Sequence, residues 1–348
     1  MSDKYTFRIL GINEYELWDL LVDKSIQGTI FHKNEWLGAS GWDYRIFGCF
    51  NNGNELIAGF TCGTQKIHGK WTYFGHPRLT PYQGNVYTNI EGKYVTKLSR
   101  NKCICHEIAK FIKTQCTAAN ITLSPYDVED VMPFIWERFK ASVRYTYVIN
   151  LQDTEKIWKD MDLDCRNSIR KAIKDGVIID IESDFMETIK LQEKTLQRQN
   201  KSIDPSFVES AIRYNQAMEL QSKCKNFVAK NKNGNSIATV YVVWDTKRSY
   251  YLMGGYDHEN AHSGASSLAI WTAIQYLRDT IGLSEFDFEG TTLLHTEPFF
   301  RSFGGKLTPY YTVSWVHPKF RPFLTAKRFL REVNRMFRPN LLDGSYQD

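Results

Sequence analysis

The clearest pattern of apolar and polar positions is a series of three β-rich stretches in the second half of the chain. They are CKNFVAK (224–230), SIATVYVVW (236–244) and SYYLMGGY (249–256), and polar turns separate them. Apolar runs rich in β-branched and aromatic residues, divided by short polar turns, are typical of antiparallel strands. The sequence therefore predicts a three-stranded meander from 224 to 256.

Cap and breaker residues predict the elements around this meander. Asp162 or Asp164 can cap a helix that runs to Asp175, and Gly176 is placed to end it. Asp204-Pro205 is a helix-start signal that divides two further helices. The other predicted elements are a strand at 177–181, helices at about 184–200 and 205–221, a helix from Gly264 to about Thr280, the strand SEFDF, a short helix at 295–303 and the strand KLTPYYTVSW.

The first half repeats this order less clearly. It contains NGNELIA at 52–58, which matches NGNSIA at 233–238 in the meander. We therefore predict an α/β fold made of a duplicated unit, with domains at 1–150 and 151–316 and a tail at 317–348. The predicted elements of the first half are the strand YTFRIL, a helix at 13–23, the hairpin strands YRIFGCF and ELIAGFTCG, a helix at about 91–118, the strand NITLS, a helix near 127–139 and the strand SVRYTYVIN.

Composition narrows the class of protein. The chain has 348 residues, of which 42% are hydrophobic and 24% are charged, as in globular proteins with two domains. No apolar run reaches the length of about 18 residues that a membrane span needs, and the N-terminus lacks the apolar segment of a signal peptide. The seven cysteines are irregularly spaced, and Cys103-Ile-Cys105-His106 lacks zinc spacing, so we expect reduced thiols, no metal site and a cytoplasmic location.

The positive charge is concentrated at the C-terminus. Between His317 and Arg338 lie seven basic residues and one acid, so that the rest of the chain is near neutral although the total net charge is +5. Apolar residues interleave with these bases from Phe320 to Phe337. The segment suits either a helix that lies on an anionic membrane or a helix that packs on the body with a basic outer face. We predict a peripheral membrane contact through 319–338, which would place the protein at the inner face of the membrane.

The helix after Asp162 carries two patterned faces. Cys165, Ile169, Ala172 and Ile173 form an apolar stripe, while Arg166, Arg170 and Lys174 form a basic ridge at a spacing of four residues. Like charges at this spacing repel each other unless an anion offsets them. The ridge is therefore either a solvated face or a site for phosphate or carboxylate groups.

The stretch EFDFEGTTLLHTEPFFRSFGG (285–305) holds the candidate catalytic residues. On a strand, Asp287 and Glu289 point the same way, and two like carboxylates on a half-buried face raise at least one pKa. Such a pair suits a proton acceptor for an attacking amine, or else a salt-bridged strand end. Arg301 lies between Phe300 and Phe303, where it either offsets the charge of a reaction intermediate or stacks on the surface.

These features together carry a family resemblance. The element order resembles the GNAT acyltransferase fold. The two halves, with RNSIRKAIKDGV, YLMGGY, FDFEG and FFRSFGG, look like the Fem family over roughly residues 160–315, and over 1–150 by layout alone. Fem enzymes add amino acids from aminoacyl-tRNA to peptidoglycan precursors, and their relatives occur in cell-envelope polysaccharide systems. The resemblance implies tandem GNAT-like domains, with the acceptor on the first and the donor on the second.

The resemblance also implies roles for particular residues. Phe300 and Arg301 match a Phe-Lys pair of the family that places a cation at the reaction centre. The basic helix from Arg166 to Lys174 matches one that contacts acceptor phosphates. The segment 77–87, with Tyr82, is the nearest match to the acceptor groove. Residues that match donor-binding positions, where GNAT enzymes hold the pyrophosphate of coenzyme A on backbone N–H groups, are Gly254, Gly255, Ser263 and Gly264.

The leading hypothesis is an N-acyltransferase that joins an acyl or aminoacyl group to an amine of a cell-envelope precursor. Glu289 or Asp287 would accept or relay a proton, and Arg301 with N–H groups near Gly254 would stabilise the oxyanion. We expect no tightly bound cofactor, with acyl-CoA or aminoacyl-tRNA as co-substrate, a cell-envelope precursor as partner and tRNA as a second one. The alternatives are an acyl-CoA-dependent amino-sugar N-acetyltransferase and a non-catalytic protein that binds glycans or lipid-linked precursors.

Overall fold

A computed structural model describes residues 5–67, 69–126, 130–182, 184–260, 262–290, 294 and 296–320. These residues form two compact units. The first unit combines the chain up to Arg144 with the segment that begins at Pro309, and the second is Tyr145–Thr308. The sequence predicted domain boundaries at 150 and 316, with the acceptor on the first domain and the donor on the second. These roles stay predictions. Residues 321–348, on which the predicted membrane helix falls, lie outside the described residues.

The first unit is built mainly from the N-terminal half of the chain. Its strands are β1 (Thr6–Ile9), β2 (Asp43–Phe50), β3 (Leu56–Ile67), β4 (Trp71–Gly75), β5 (Gly84–Tyr87), β6 (Ala118–Thr122) and the later β13 (Lys306–Val316). Its helices are α1 (Tyr15–Lys24), α2 (Asn34–Ala39), α3 (Tyr94–Gln115) and α4 (Met132–Trp136). The strand order is β1-β2-β3-β4-β6-β13, and β4 is parallel to β6.

The second unit repeats this arrangement. Its strands are β7 (Lys140–Asn150), β8 (Ile178–Asp180), β9 (Cys224–Lys230), β10 (Ser236–Trp244), β11 (Arg248–Tyr256) and β12 (Glu285–Asp287). Its helices are α5 (Thr154–Asp160), α6 (Leu163–Lys174), α7 (Phe185–Gln197), α8 (Pro205–Glu219), α9 (Ala265–Tyr276) and α10 (Glu297–Arg301). The order is β8-β9-β10-β11-β12-β7, and β11 is parallel to β12.

The two units differ at one matching place. In the second, β11 pairs with β10 along its whole length, with one bulge where Tyr241 and Val242 face Met253 and Tyr251. In the first, β4 and β5 follow one another along the same edge of β3, where Gly63 faces Gly75 and Thr61 faces Gly84. The eight residues 76–83 leave the sheet between them. A one-residue bulge in the second unit thus corresponds to a buried loop in the first.

Each unit has its own apolar core. In the second, α6 and α9 pack on the sheet through Ile169, Ala172 and Ala269, which are each 0% exposed. Ile173, predicted on the same apolar stripe of α6, is instead 58% exposed. That prediction was wrong because only residues 165, 169 and 172 face the core, and position 173 has turned past it.

Most predicted elements are confirmed, and the misses are short or irregular ones. The meander, the strand at 178–180 and the helix that ends at Gly176, with φ +79°, lie where the sequence places them. The sequence analysis missed α2, β4, β5 and α5. Within the described residues, no helix is long and apolar enough to cross a membrane. That part of the chain also holds no cluster of three or more His, Cys, Asp or Glu side chains placed for a metal ion.

Candidate active site of the second unit

Asp287 and Glu289 meet at the end of β12, but not as strand neighbours. The strand ends at Asp287, and Glu289 has a left-handed backbone with φ +61°. Asp287 Oδ1 accepts hydrogen bonds from the Thr146 hydroxyl at 2.6 Å and from the Glu289 N–H at 2.8 Å. The predicted two-residue alternation along one strand is therefore wrong for Glu289. A turn closed by the Asp287 carboxylate brings the two acids together instead.

Glu289 is held in a setting that favours its neutral form. Its Oε1 is buried and has no hydrogen-bond partner among the described residues. Burial, together with the nearby Asp287 charge, raises the pKa of the Glu289 carboxyl well above its ordinary value. A left-handed conformation at a residue other than glycine stores strain, and such strain is common at functional sites. Glu289 therefore keeps its proton to a higher pH than an ordinary carboxyl, next to an ionisable partner.

Arg301 lies at the end of α10 and points toward solvent. Its side chain is 62% exposed, and Nε contacts Glu297 Oε1 at 3.0 Å across one helical turn. The same oxygen accepts a 2.5 Å hydrogen bond from the Tyr147 hydroxyl. Burial and this bond raise the pKa of Tyr147 to about 12. The sequence left open whether Arg301 offsets charge in the reaction or stacks on the surface. Its Phe neighbours turn inward while the guanidinium stays outside, and its role in the reaction stays a prediction.

Aromatic rings connect α10 to the turn that carries the acids. Phe300 packs on Phe288 with ring centroids 4.8 Å apart and on Tyr251 at 5.3 Å. Phe303, 0% exposed, lies 5.7 Å from Phe288. The residues on either side of Arg301 are thus fixed to the residue that precedes Glu289. Phe300, predicted to bind substrate, is half-buried in this cluster.

The start of α6 lies beside the end of α10. The Asp162 N–H donates to the Ser302 carbonyl at 2.8 Å, one helical turn before Arg166. Arg166 Nε is buried and has no hydrogen-bond partner among the described residues. Arg170 is exposed, lies 5.3 Å from the centre of the Trp158 ring and bonds Asn167 at 3.1 Å. Lys174, also exposed, lies one turn beyond Arg170. The structure therefore places Arg166 near α10 and leaves Arg170 and Lys174 on the open side of the helix.

Gly254 and Gly255 lie in β11, beyond the three positions of that strand that pair with β12. A side chain at Gly255 would come within 2.5 Å of the Gln192 backbone nitrogen in α7. A side chain at Gly254 would overlap the Tyr251 hydroxyl. Close packing accounts for both glycines. Tyr251 follows the last β12-paired residue of β11, and its ring also contacts Phe288 and Phe300.

The first turn of α9 is occupied by its own loop. The Gly264 N–H donates to His262 Nδ1 at 3.1 Å, and the Ala265 N–H donates to the His262 carbonyl at 2.9 Å. A side chain at Gly264 would overlap the Ser168 carbonyl of α6. Two N–H groups that a pyrophosphate would need are therefore already bonded, so this turn does not fit the cradle expected around Ser263 and Gly264.

Tyr82 belongs to the first unit and is enclosed there. It is 0% exposed and packs edge-on against Phe31 and Tyr310 at 5.9 and 5.4 Å. It lies in the buried loop 76–83, whose end is fixed by a 2.7 Å bond from the Gln83 N–H to the Thr122 carbonyl. The structure therefore does not bring Tyr82 to an open surface of this unit.

Sequence reasoning missed four residues of the site: Thr146, Tyr147, Tyr251 and Glu297. Tyr147 and Glu297 are 150 positions apart, so no local pattern links them. Glu297 gave one weak signal, its position four residues before Arg301, where opposite charges face each other on a helix. Tyr251 lies in the YLMGGY stretch, in which the sequence analysis assigned a role only to the glycines.

Comparison with known proteins agrees with this arrangement. A family model described as an acetyltransferase (GNAT) domain matches residues 162–301. The crystal structure of FemX is similar with a TM-score of 0.68 at 14% identity, covering 91% of this chain and 99% of FemX. No curated protein sequence matches the chain.

Two further solved structures share the fold. The C-terminal domain of a candidate lysylphosphatidylglycerol synthetase from Agrobacterium fabrum has a TM-score of 0.55 at 12% identity, with 91% and 96% of the chains covered. A tandem GNAT protein from the clavulanic acid biosynthesis pathway has a TM-score of 0.50 at 10% identity, with 89% and 98% covered. The predicted tandem α/β architecture is confirmed. Residues 162–301 match a GNAT acetyltransferase domain, which supports an acyltransferase, and the chain shares the fold of FemX.

Proposed function

We propose that the chain transfers an acyl or aminoacyl group to an amine of a peptidoglycan or polysaccharide precursor, with the chemistry in the second unit. The observation that carries this proposal is the Glu289 carboxyl beside Asp287 in a GNAT domain, whose buried Oε1 has no hydrogen-bond partner among the described residues. The fold shared with FemX, and with a protein named for lysyl transfer to a lipid, supports a cell-envelope acceptor.

Glu289 relays the proton in this scheme. The neutral amine attacks the donor carbonyl, and the carbon–nitrogen bond forms as negative charge moves to the carbonyl oxygen. Glu289 gives its proton to the leaving group as the bond to that group breaks, and it then receives the proton that the amine nitrogen loses. One proton leaves Glu289 and one returns, so the carboxyl is unchanged after each turnover. Burial, together with the charge of Asp287 that Thr146 fixes in place, keeps the pKa of Glu289 raised.

Cationic groups bind the charged parts of the reactants. Arg301 is exposed but kept in place by Glu297, which Tyr147 orients in turn, so the guanidinium can contact an oxyanion or a donor phosphate. Arg166, with a buried and unpaired Nε, and the exposed Arg170 and Lys174 are suited to precursor phosphates. The first unit then serves the acceptor and the second the donor.

Two kinds of donor are compatible with the proposed reaction. A match to an acetyltransferase family favours acyl-CoA, which makes an acyl-CoA-dependent amino-sugar N-acetyltransferase the second candidate. The first turn of α9, with two N–H groups bonded to His262, favours a donor that does not depend on a pyrophosphate cradle, such as aminoacyl-tRNA. We keep both donors within the proposal, and we keep contact with an anionic membrane through 319–338 as part of it.

The test uses the purified full-length chain with two labelled donors. One reaction contains radiolabelled acetyl-CoA and the other contains tRNA charged with a radiolabelled amino acid, each with total cell-envelope precursors. The expected result is transfer of label from one donor to an amine-bearing precursor, lost in a Glu289→Gln variant. Equal transfer by the wild type and by that variant would exclude the proton relay. Transfer from neither donor would reject the proposed reaction.

A further inference from the structure

A second pocket of the second unit lies away from the candidate active site. It has a volume of about 390 Å³ and opens between the start of β9, the end of β10, the last turn of α8 and the end of α9. Arg166, Asp287, Glu289 and Arg301 are not among the residues that line it. The pocket therefore has its own lining, and its volume is in the usual range for small ligands.

A buried phenol lines this pocket. Tyr241 is 1% exposed, and its hydroxyl makes no hydrogen bond of ordinary length within the described residues. Its hydrogen-bonding neighbour is the buried thiol of Cys224, which is a weak hydrogen-bonding group. A buried hydroxyl with only a weak partner carries a free-energy cost. A ligand that donates a hydrogen bond here would recover part of that cost.

The charged groups that line the pocket leave one negative charge. Glu182 is paired with Lys225 at 3.0 Å. Glu219 also lines the pocket, lies close enough to act electrostatically on Tyr241 and Cys224, and is in no ion pair within the described part of the chain. The Glu219 carboxylate is therefore not offset by a cation.

The walls are aromatic. Trp244, which is 6% exposed, and the half-buried Tyr276 both line the pocket. Aromatic faces attract cations and pack against methylene groups. A carboxylate, a weakly bonded hydroxyl and two aromatic side chains together match a short alkyl chain that ends in an ammonium group.

We propose that this pocket binds a small organic cation with a primary ammonium group, which ion-pairs with Glu219, donates to the Tyr241 hydroxyl and packs its alkyl part on Trp244 and Tyr276. The inference does not depend on the reaction proposed above. The ligand class follows from the groups that line the pocket.

The experiment is a titration of the full-length protein with n-butylammonium chloride at constant ionic strength, with 1-butanol as the uncharged control. Binding is followed by calorimetry and by the Trp244 indole N–H signal in NMR, assigned with a Trp244→Phe variant. We expect saturable binding at one site that shifts this signal, and binding of 1-butanol at least about tenfold weaker.

Two variants locate the site. Glu219→Gln keeps the shape and removes the charge, so it should weaken n-butylammonium binding about tenfold. Tyr241→Phe should weaken it severalfold, and Glu209→Gln, an exposed acid on the same helix, should change nothing. Folding of each variant is checked by circular dichroism. Equal affinity for the amine and the alcohol, no binding of either, or unchanged affinity in Glu219→Gln would overturn the proposal.

Discussion

The Tyr147 hydroxyl donates a 2.5 Å hydrogen bond to Glu297, and the oxygen that accepts it also contacts Arg301 Nε at 3.0 Å. These two contacts hold the exposed Arg301 guanidinium in one position. A surface ion pair of this kind contributes at most about 1 kcal/mol to stability. The arrangement therefore does little for the fold and makes Arg301 a candidate for contact with the reactants.

Arg301→Ala should leave the protein folded and lower kcat at least about tenfold, since one charged donor would no longer face the developing oxyanion. Arg301→Lys should retain part of the activity because a point charge remains. The measurement is steady-state kinetics with the donor that supports turnover. Arg198→Ala, which removes another exposed arginine, is the matched control. Wild-type kcat in Arg301→Ala would remove this residue from the reaction.

The raised pKa of Glu289 has a consequence for stability. Below the ordinary carboxyl pKa of 4.5, both the folded and the unfolded chain bind the proton. As pH rises above that value, the unfolded chain releases the proton while the folded chain retains it. The free energy of unfolding therefore falls by up to about 1.4 kcal/mol per pH unit until the folded-state pKa is passed. Glu289→Gln removes this dependence, so the variant should become more stable than the wild type with rising pH.

Urea unfolding between pH 4 and pH 8 measures this difference. Glu155→Gln, which changes an exposed acid of the same unit with a side chain 83% accessible, should follow the wild type at every pH. A constant difference between Glu289→Gln and the wild type across the range would contradict a raised pKa. In the reaction, the wild type should show an alkaline fall of kcat/KM, since that fall reports loss of the proton that Glu289 relays.

Tyr251 is the residue expected to limit the size of the donor group. Its ring bridges from β11 to Phe288 and Phe300, and its hydroxyl fills the space beside Gly254. Tyr251→Ala should therefore raise kcat/KM for a bulky acyl or aminoacyl group relative to a small one, by about tenfold. Tyr251→Phe keeps the ring and should keep the wild-type ratio. Competition between two labelled donors in one reaction gives the ratio directly, and an unchanged ratio in Tyr251→Ala would place the donor elsewhere.

The sequence predicted those parts of the fold that local signals specify. Asp162 and Gly176 mark the ends of α6, and polar turns mark the meander, because caps and turns act within a few residues. Ile173 was misplaced since helical periodicity does not reveal how wide a face the core covers. The turn after Asp287 was missed because the length of a strand depends on its neighbours, and β12 has only three paired residues.

The sequence could predict which charged residues belong to the candidate site, but it could not predict which residues contact them. Asp287, Glu289 and Arg301 stand out as charged residues within an apolar stretch. Their partners Thr146 and Tyr147 come from β7, which lies about 140 residues earlier in the chain. Pairings over such separations depend on sheet topology, and one sequence carries no signal for them.

Gly264 offers a test of the packing that positions α6 against α9. A methyl group at this position would overlap the Ser168 carbonyl and approach the Ala172 side chain to 3.1 Å. Gly264→Ala should therefore lower the free energy of unfolding by about 1–3 kcal/mol, because backbone atoms of a packed helix must move. Chemical denaturation measures the loss, and Gly38→Ala in the first unit, where the added methyl has room, is the control. If α6 shifts, Arg166 shifts with it, so the variant should also raise KM for a phosphate-bearing acceptor more than it lowers kcat. Wild-type stability in Gly264→Ala would show that the two helices are not held at this contact.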